Sequence, residues 1–240
     1  QIYKLASATR IGGGLLDNSG PWQVLTPWPN AWWNLNVQLS YWSVYASNRL
    51  ELGMPLVNAI GSNLNNLINN VPEAYRKDAA ALPVATDFNL IGETVNIPGT
   101  EKKAQVGNLP WICHNLWLQY RFSMDESILR NTIFPTLRRA INFYLPFLKE
   151  DKQGKLHLQR TFSPEYGIAE DCNYDIALLR WGCNTLLETT KILSIDDELI
   201  PRWKQVIEKL TDYPQDANGM MIGKDVPFSR SHRHYSHLLM

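Results

Sequence analysis

Charge of one sign is what this chain most plainly lacks: lysine plus arginine number 23, aspartate plus glutamate also 23, in 240 residues. A balanced chain offers no net field to draw in nucleic acid or an anionic membrane, and no basic run with interleaved aromatics replaces one. Long hydrophobic runs are missing as well. Nothing reaches the ~18 consecutive apolar residues that cross a bilayer, and no basic stretch followed by an apolar one opens the chain. Cysteine is scarce. Cys113, Cys172 and Cys183 show no CxxC spacing, and they read either as buried thiols or as one disulfide plus a free thiol. The sequence also lacks a GxSxG nucleophile elbow, a glycine-rich phosphate loop with a following lysine, and an HExxH metal motif. These absences argue against nucleophilic esterase, nucleotide-binding and zinc-protease chemistry, and leave a neutral partner and no cofactor.

Aromatic residues, by contrast, are plentiful, with nine tryptophans and ten tyrosines. Such rings fill cores, and their faces also stack on the apolar C–H faces of sugars. At 45% hydrophobic content the chain can bury a full core, as one large domain or two small ones. Residues 1–33 read as an irregular lead-in, with Gly12-Gly13-Gly14 and prolines at 21, 27 and 29. Residues 34–240 read as helical, with helices expected over 37–52, 55–71, 109–122, 126–148, 174–193 and 200–210 and a short piece near 73–81. Pro135 and Pro146 mark kinks, residues 84–107 a loop with one small hairpin, and 155–162 a strand. Helix pairs joined by loops of unequal length make an all-α domain. About seven helices are little more than half of the roughly twelve in a closed toroid of six pairs. The start at Gln1 and the end within His237-Leu238-Leu239-Met240 fit a piece of something longer.

Three places hold side chains suited to chemistry. In the first, Asn34 and Asn36 follow Trp32-Trp33, where an extended segment would turn both amides to one face. Together they can hold a water molecule or a sugar hydroxyl, but an amide takes no proton, so a separate carboxylate must act as base. Asn36 also suits the N-cap of the helix that follows. In the second, Ser163-Pro164-Glu165-Tyr166-Gly167 sets a carboxyl in a turn beside aromatics, which would favour the protonated form that a general acid needs. A solvated loop glutamate is the plainer alternative. In the third, Ser231-His232-Arg233-His234-Tyr235-Ser236-His237 gathers donors suited to sugar hydroxyls, with no nearby carboxylate in sequence to support a zinc site.

Taken in order, these places resemble glycoside hydrolase family 95, the inverting α-L-fucosidases and α-L-galactosidases. Asn34-Leu35-Asn36-Val37-Gln38-Leu39-Ser40-Tyr41-Trp42 is similar to the family's N-x-N-x-Q-M-N-Y-W, Ser163-Pro164-Glu165 to its S-P-E, and His232 to Leu238 to its H-R-H-x-S-H-L. The helix from Trp111 to Phe122 followed by Asp125-Glu126 is similar too, so the likeness runs over about residues 15–240. It implies an (α/α)6 toroid, incomplete within this chain's length, with Glu165 as general acid and Asn34 and Asn36 orienting the attacking water. Trp33, Tyr166, Arg233 and His234 would contact the sugar of an oligosaccharide or glycan, outside the cytoplasm. Leu39 and Ser40 stand where the family has Met and Asn. The family's base aspartate lies in a Gly-Trp segment beyond the last motif, and nothing here matches it. Asp171 and Asp175 read instead as residues at the start of a helix, where acidic side chains suit the dipole. Other readings are a carbohydrate-binding relative without hydrolysis, and a helical-toroid polysaccharide lyase.

Overall fold

The computed structural model describes residues 2–10, 12–16 and 30–238; the three lead-in prolines lie outside these. The expected irregularity fails at the first residues, where Ile2–Ala8 forms helix α1 and buries Leu5. Its sequence contains no helix breaker; the disruptive residues begin only at Gly12.

The first functional segment is organised by Trp33. Strand β1 (Ala31–Trp32) pairs antiparallel with β2 (Ala85–Thr86), Ala31 opposite Thr86. Within residues 84–107 the expected small hairpin is reduced to one antiparallel bridge, Thr86 with Gly92, while β2 also pairs with the lead-in strand. Beyond β1, Trp33 N–H donates to Val84 O at 2.8 Å and its indole N–H to Thr86 Oγ1 at 2.8 Å. Helix α2 (Asn36–Ala46) then begins, and Gln38 Nε2 reaches back to donate to Trp33 O.

Helix α3 (Met54–Ser62) opens with Pro55, and α4 (Leu64–Asn69) follows where one continuous helix is expected. The break falls at Asn63, whose Nδ2 donates to Ala59 O at 2.8 Å. A short amide that bonds the backbone competes with helix continuation. Helix α5 (Asn108–Ser123) is buried on almost every side, packing on α2 and on the two helices that follow. Those are α7 (Phe134–Asn142) and α8 (Asn173–Leu193), with the short α6 (Glu126–Ile128) and a π turn over Leu129–Ile133 leading into α7. The π turn ends just before Pro135, which supplies no N–H to an α ladder, so the ladder is interrupted where a kink is expected, and the helix ends at Asn142, ahead of Pro146. Helix α9 (Ile200–Lys209) lies against α8.

Two hairpins link α7 to α8: β3 (Leu148–Glu150) with β4 (Leu156–Leu158), and β5 (Thr161–Ser163) with β6 (Gly167–Ala169). The single strand expected over 155–162 is therefore the end of one hairpin and the start of another. Arg160 O accepts from Gly99 N–H and Phe162 N–H donates to Ala104 O, so the second hairpin is also stitched to the 99–104 loop. All three cysteines are buried free thiols, which excludes the disulfide alternative. Burial raises each thiol pKa, to about 12 for Cys172 and Cys183. Among the described residues no helix is long and apolar enough to cross a membrane.

Helices α7 and α8 touch at Gly182, where an added Cβ would lie 2.2 Å from Ile141 Cδ1 and 2.7 Å from its Cγ1. Replacing Gly182 by alanine should therefore destabilise the domain by about 1–2 kcal/mol despite alanine's better helix propensity. Urea unfolding measures this, and an unchanged or higher midpoint would contradict the close approach.

Candidate active site

Glu165 occupies the turn that joins β5 to β6. Ser163 O accepts from Tyr166 N–H at 3.1 Å, and Glu165 itself adopts the left-handed region with φ 56°. For a residue with a Cβ this conformation costs roughly 1–2 kcal/mol, so neighbouring contacts must hold it. The carboxyl meets the loop near the chain's end: Oε2 lies 2.5 Å from Arg233 Nη2 and 3.4 Å from His234 Nε2. The expected aromatic surroundings are thus replaced by a guanidinium and an imidazole. Three of the residues singled out in the sequence, Glu165, Arg233 and His234, do meet.

Tyr166 explains how they meet. Its hydroxyl accepts from Ser229 N–H at 2.8 Å, its carbonyl accepts from Arg230 Nη2 at 2.9 Å, and the Arg230 guanidinium lies 4.7 Å from its ring centre. Phe228 and His232 pack beside the same ring at 5.5 and 5.6 Å. Tyr166 is therefore a clamp that holds the 227–232 loop against the hairpin, with the phenol pKa lowered first by the Ser229 side-chain hydrogen bond. Next along, His232 Nδ1 accepts from His234 N–H at 3.1 Å and His237 stacks on Phe228 at 4.6 Å. His234 is buried, which lowers its pKa, while the Glu165 charge works against that shift.

The amide pair is divided by the fold. A turn over residues 33–35, not an extended segment, leads into α2, so Asn34 is buried and Asn36 is exposed as the first residue of the helix. The capping alternative also fails, because the N-cap position is Leu35 and no side chain caps α2. Trp33 changes role most. Its ring is fully buried and its N–H bonds Thr86, so it has no face left for a sugar. Its neighbour Trp32 instead lines a cavity of about 520 Å³ with Asn30, Thr86, Glu93, Lys103 and Gln105. Adjacent residues on a strand point to opposite sides, and sequence alone does not say which faces inward. Lys103 Nζ lies 5.1 Å from the Phe162 ring, so one cavity wall borders the Glu165 hairpin.

Helix α8 ties the two halves together. Leu35, between the two asparagines, packs against the buried cluster of Trp111, Tyr174 and Leu178, and the turn Ser236–Leu238 packs on α8 as well. Among the described residues, buried Trp111 Nε1, His234 Nδ1 and His237 Nδ1 have no hydrogen-bond partner. Buried polar atoms are rarely left so, though others lie elsewhere in the domain, Thr136 Oγ1 and Trp203 Nε1 among them.

Asp171, just before α8, and Asp175, in its first turn, are expected to serve the helix dipole, and the structure gives them other work. Asp175 is completely buried and accepts from Tyr144 OH at 2.7 Å and Thr161 Oγ1 at 2.6 Å. Burial pushes its carboxyl up to about 7. Asp171 Oδ1 accepts from Leu158 N–H at 2.7 Å, while Oδ2 lies 2.7 Å from His157 Nδ1. Asp151 Oδ2 flanks the other nitrogen of that imidazole at 3.2 Å. Burial pulls the His157 pKa down, but the hydrogen bonds and charges of Asp171 and Asp151 outweigh it and raise the value.

Packed helices supporting a carboxyl on a hairpin tip, with a guanidinium and an imidazole against it, define a helix-rich domain with a carboxyl-bearing candidate site. In fold it is similar to a putative kojibiose phosphorylase from human microbiome, with a TM-score of 0.60 and 13% identity over 87% of this chain and 30% of that one. The glycosyl hydrolase family 95 catalytic domain model matches residues 3–240, and the chain belongs to that family. It is 25% identical to alpha-L-fucosidase 2 of Arabidopsis thaliana, covering 98% of this chain and 30% of that protein. It is 26% identical to a probable alpha-fucosidase A of Aspergillus niger over 56% of this chain and 17% of that one. The chain thus spans under a third of the length of these relatives.

Two titrations test the site. The His234 imidazole should titrate below the ordinary histidine value by NMR, and lower still in Glu165→Gln, because the carboxylate charge that opposes the shift is gone. A rise in that variant would contradict the contact. For Asp175 the raised pKa means no ionisation penalty below about pH 4 and a growing loss of stability as pH rises through about 7. Relative to the wild type, Asp175→Asn should therefore gain melting temperature between pH 5 and pH 8, within a limit of about 4 kcal/mol. Parallel pH profiles for the two proteins would contradict a buried, neutral carboxyl.

Proposed function

We propose that this chain is the acid-bearing part of a glycoside hydrolase that removes a terminal α-L-fucosyl or related α-L-sugar from a glycan with inversion. The observation that carries the reading is Glu165, set on a turn tip with Oε2 engaged by Arg233 and His234. Both contacts fall on one oxygen, which leaves Oε1 to deliver a proton to the glycosidic oxygen. Family membership supports the reaction class, and both curated relatives carry fucosidase names. The likeness to the phosphorylase in fold supports a helical arrangement of the (α/α)6 toroid kind, of which these helix pairs form part.

In this mechanism Arg233 and His234 orient the acid and reach sugar hydroxyls, and of the divided amide pair the exposed member, Asn36, is assigned the attacking water. Amides hold that water without accepting its proton, so a carboxylate base is required. An aspartate outside residues 1–240 is assigned that part, at the ~6.5–9.5 Å from the acid that inversion needs to admit water. Trp32, with its ring on the cavity beside the hairpin, is assigned the stacking contact in place of Trp33.

The test uses the full-length protein with an alkyl-linked α-L-fucoside, whose leaving oxygen needs protonation. Glu165→Gln should reduce release of the sugar by roughly 10²–10⁴-fold, and NMR of the wild-type reaction should show the β-anomer first. Undiminished release by the variant, or the α-anomer as first product, would sink the assignment.

A further inference from the structure

The Glu165 hairpin is short, with three cross-strand pairs: Thr161 opposite Ala169, Phe162 opposite Ile168 and Ser163 opposite Gly167. A two-stranded hairpin of this size does not hold its shape alone, so its direction depends on what grips its root. Thr161 is the first residue of that root, and its hydroxyl donates to Asp175 Oδ2 at 2.6 Å. The second Asp175 oxygen accepts from Tyr144 OH at 2.7 Å, which ties the root to the end of α7. The other leg is fixed in parallel. Two residues past β6, Asp171 accepts from Leu158 N–H at 2.7 Å and donates its own N–H to Leu158 O at 3.0 Å, locking the hairpin's exit to β4.

The usual reasons for an aspartate in a first helical turn do not explain Asp175. The N-cap of α8 is Cys172, with no side-chain cap, and both Asp175 oxygens take hydroxyls from other elements rather than backbone N–H groups of the helix. A solvated side chain would serve the dipole without the cost of full burial. Nor does Asp175 touch the site itself: its hydrogen bonds go to the hairpin root, while the Arg233 and His234 contacts are made at the tip.

We infer that Asp175 is a positioning residue for Glu165, acting through the Thr161 hydroxyl to aim the hairpin tip at the leaving-group oxygen. The inference rests on the reading of Glu165 as the general acid. Its consequence is specific to the acid step. When the leaving group departs without protonation, a misaimed acid costs little; when the leaving group is an alkoxide, the same misplacement costs the full benefit of proton transfer.

The experiment therefore compares two substrates of the full-length protein, a nitrophenyl α-L-fucoside and an alkyl-linked fucosyl disaccharide. Thr161→Val removes one hydroxyl while keeping the side chain's shape, and Tyr144→Phe, which removes the hydroxyl on the other Asp175 oxygen, serves as a second variant if the first does not fold. Either should lower kcat/KM on the disaccharide by roughly 10- to 100-fold, with a loss of no more than about 3-fold on the aryl substrate, whose step asks little of the acid. Asp175→Asn, which keeps an oxygen and the shape, should recover part of the selective loss seen with Asp175→Ala. Equal losses on both substrates, or no loss on either, would overturn the positioning role. Glu165→Gln run on the same pair separates the two ideas. If it fails to discriminate between the substrates, the acid assignment fails; if it discriminates and Thr161→Val and Tyr144→Phe do not, the positioning role alone fails.

Discussion

A carboxyl at the tip of a short hairpin acts in one direction only if the base of that hairpin cannot turn, and in this protein the base is held by the buried carboxyls of Asp175 and Asp171. Asp175 grips Thr161 on one leg and Asp171 grips β4 beside the other, four residues apart at the approach to α8. Such groups are expensive to bury, and each is offset by hydrogen bonds on both oxygens, from two different elements at Asp175 and from β4 alone at Asp171. The result is a polar joint between α7, two hairpins and α8, built where a purely apolar contact would allow the strands to slide.

From that joint the remaining contacts follow outward. Tyr166, immediately after Glu165, anchors the 227–232 loop through Ser229 and Arg230, and the loop then delivers Arg233 and His234 to the carboxyl. From the opposite direction, Trp33 is fixed by Val84, Thr86 and Gln38, so the turn carrying Asn34 and Leu35 comes to rest against Trp111, Tyr174 and Leu178. The buried end of α8 is the shared support. In this construction the helices support the loops and hairpins that carry the candidate side chains.

Much of this was legible in the chain. The 3.6-residue periodicity located α5, α8 and α9 to within a few residues, and the start of α2, which stops at Ala46 instead of running to 52, because a helix that buries one stripe must repeat its apolar positions. The S-P-E turn and the R-H pair stood out by composition and by likeness to the family, and they meet in space. Less legible were breaks caused by single side chains, such as Asn63 between α3 and α4, and pairing partners far apart in sequence, such as Ala31 with Thr86.

By itself the sequence determined the helical character, the neutral surface balance, and which residue types were present to do chemistry, since these depend on local spacing and composition. Tertiary structure alone decided which member of each local pair would serve. It turned Trp33 inward and Trp32 toward a cavity, buried Asn34 and exposed Asn36, and made a buried anchor of Asp175. Neighbours of one type look alike along the chain; only packing against elements distant in sequence gives each its own solvent, partners and charge.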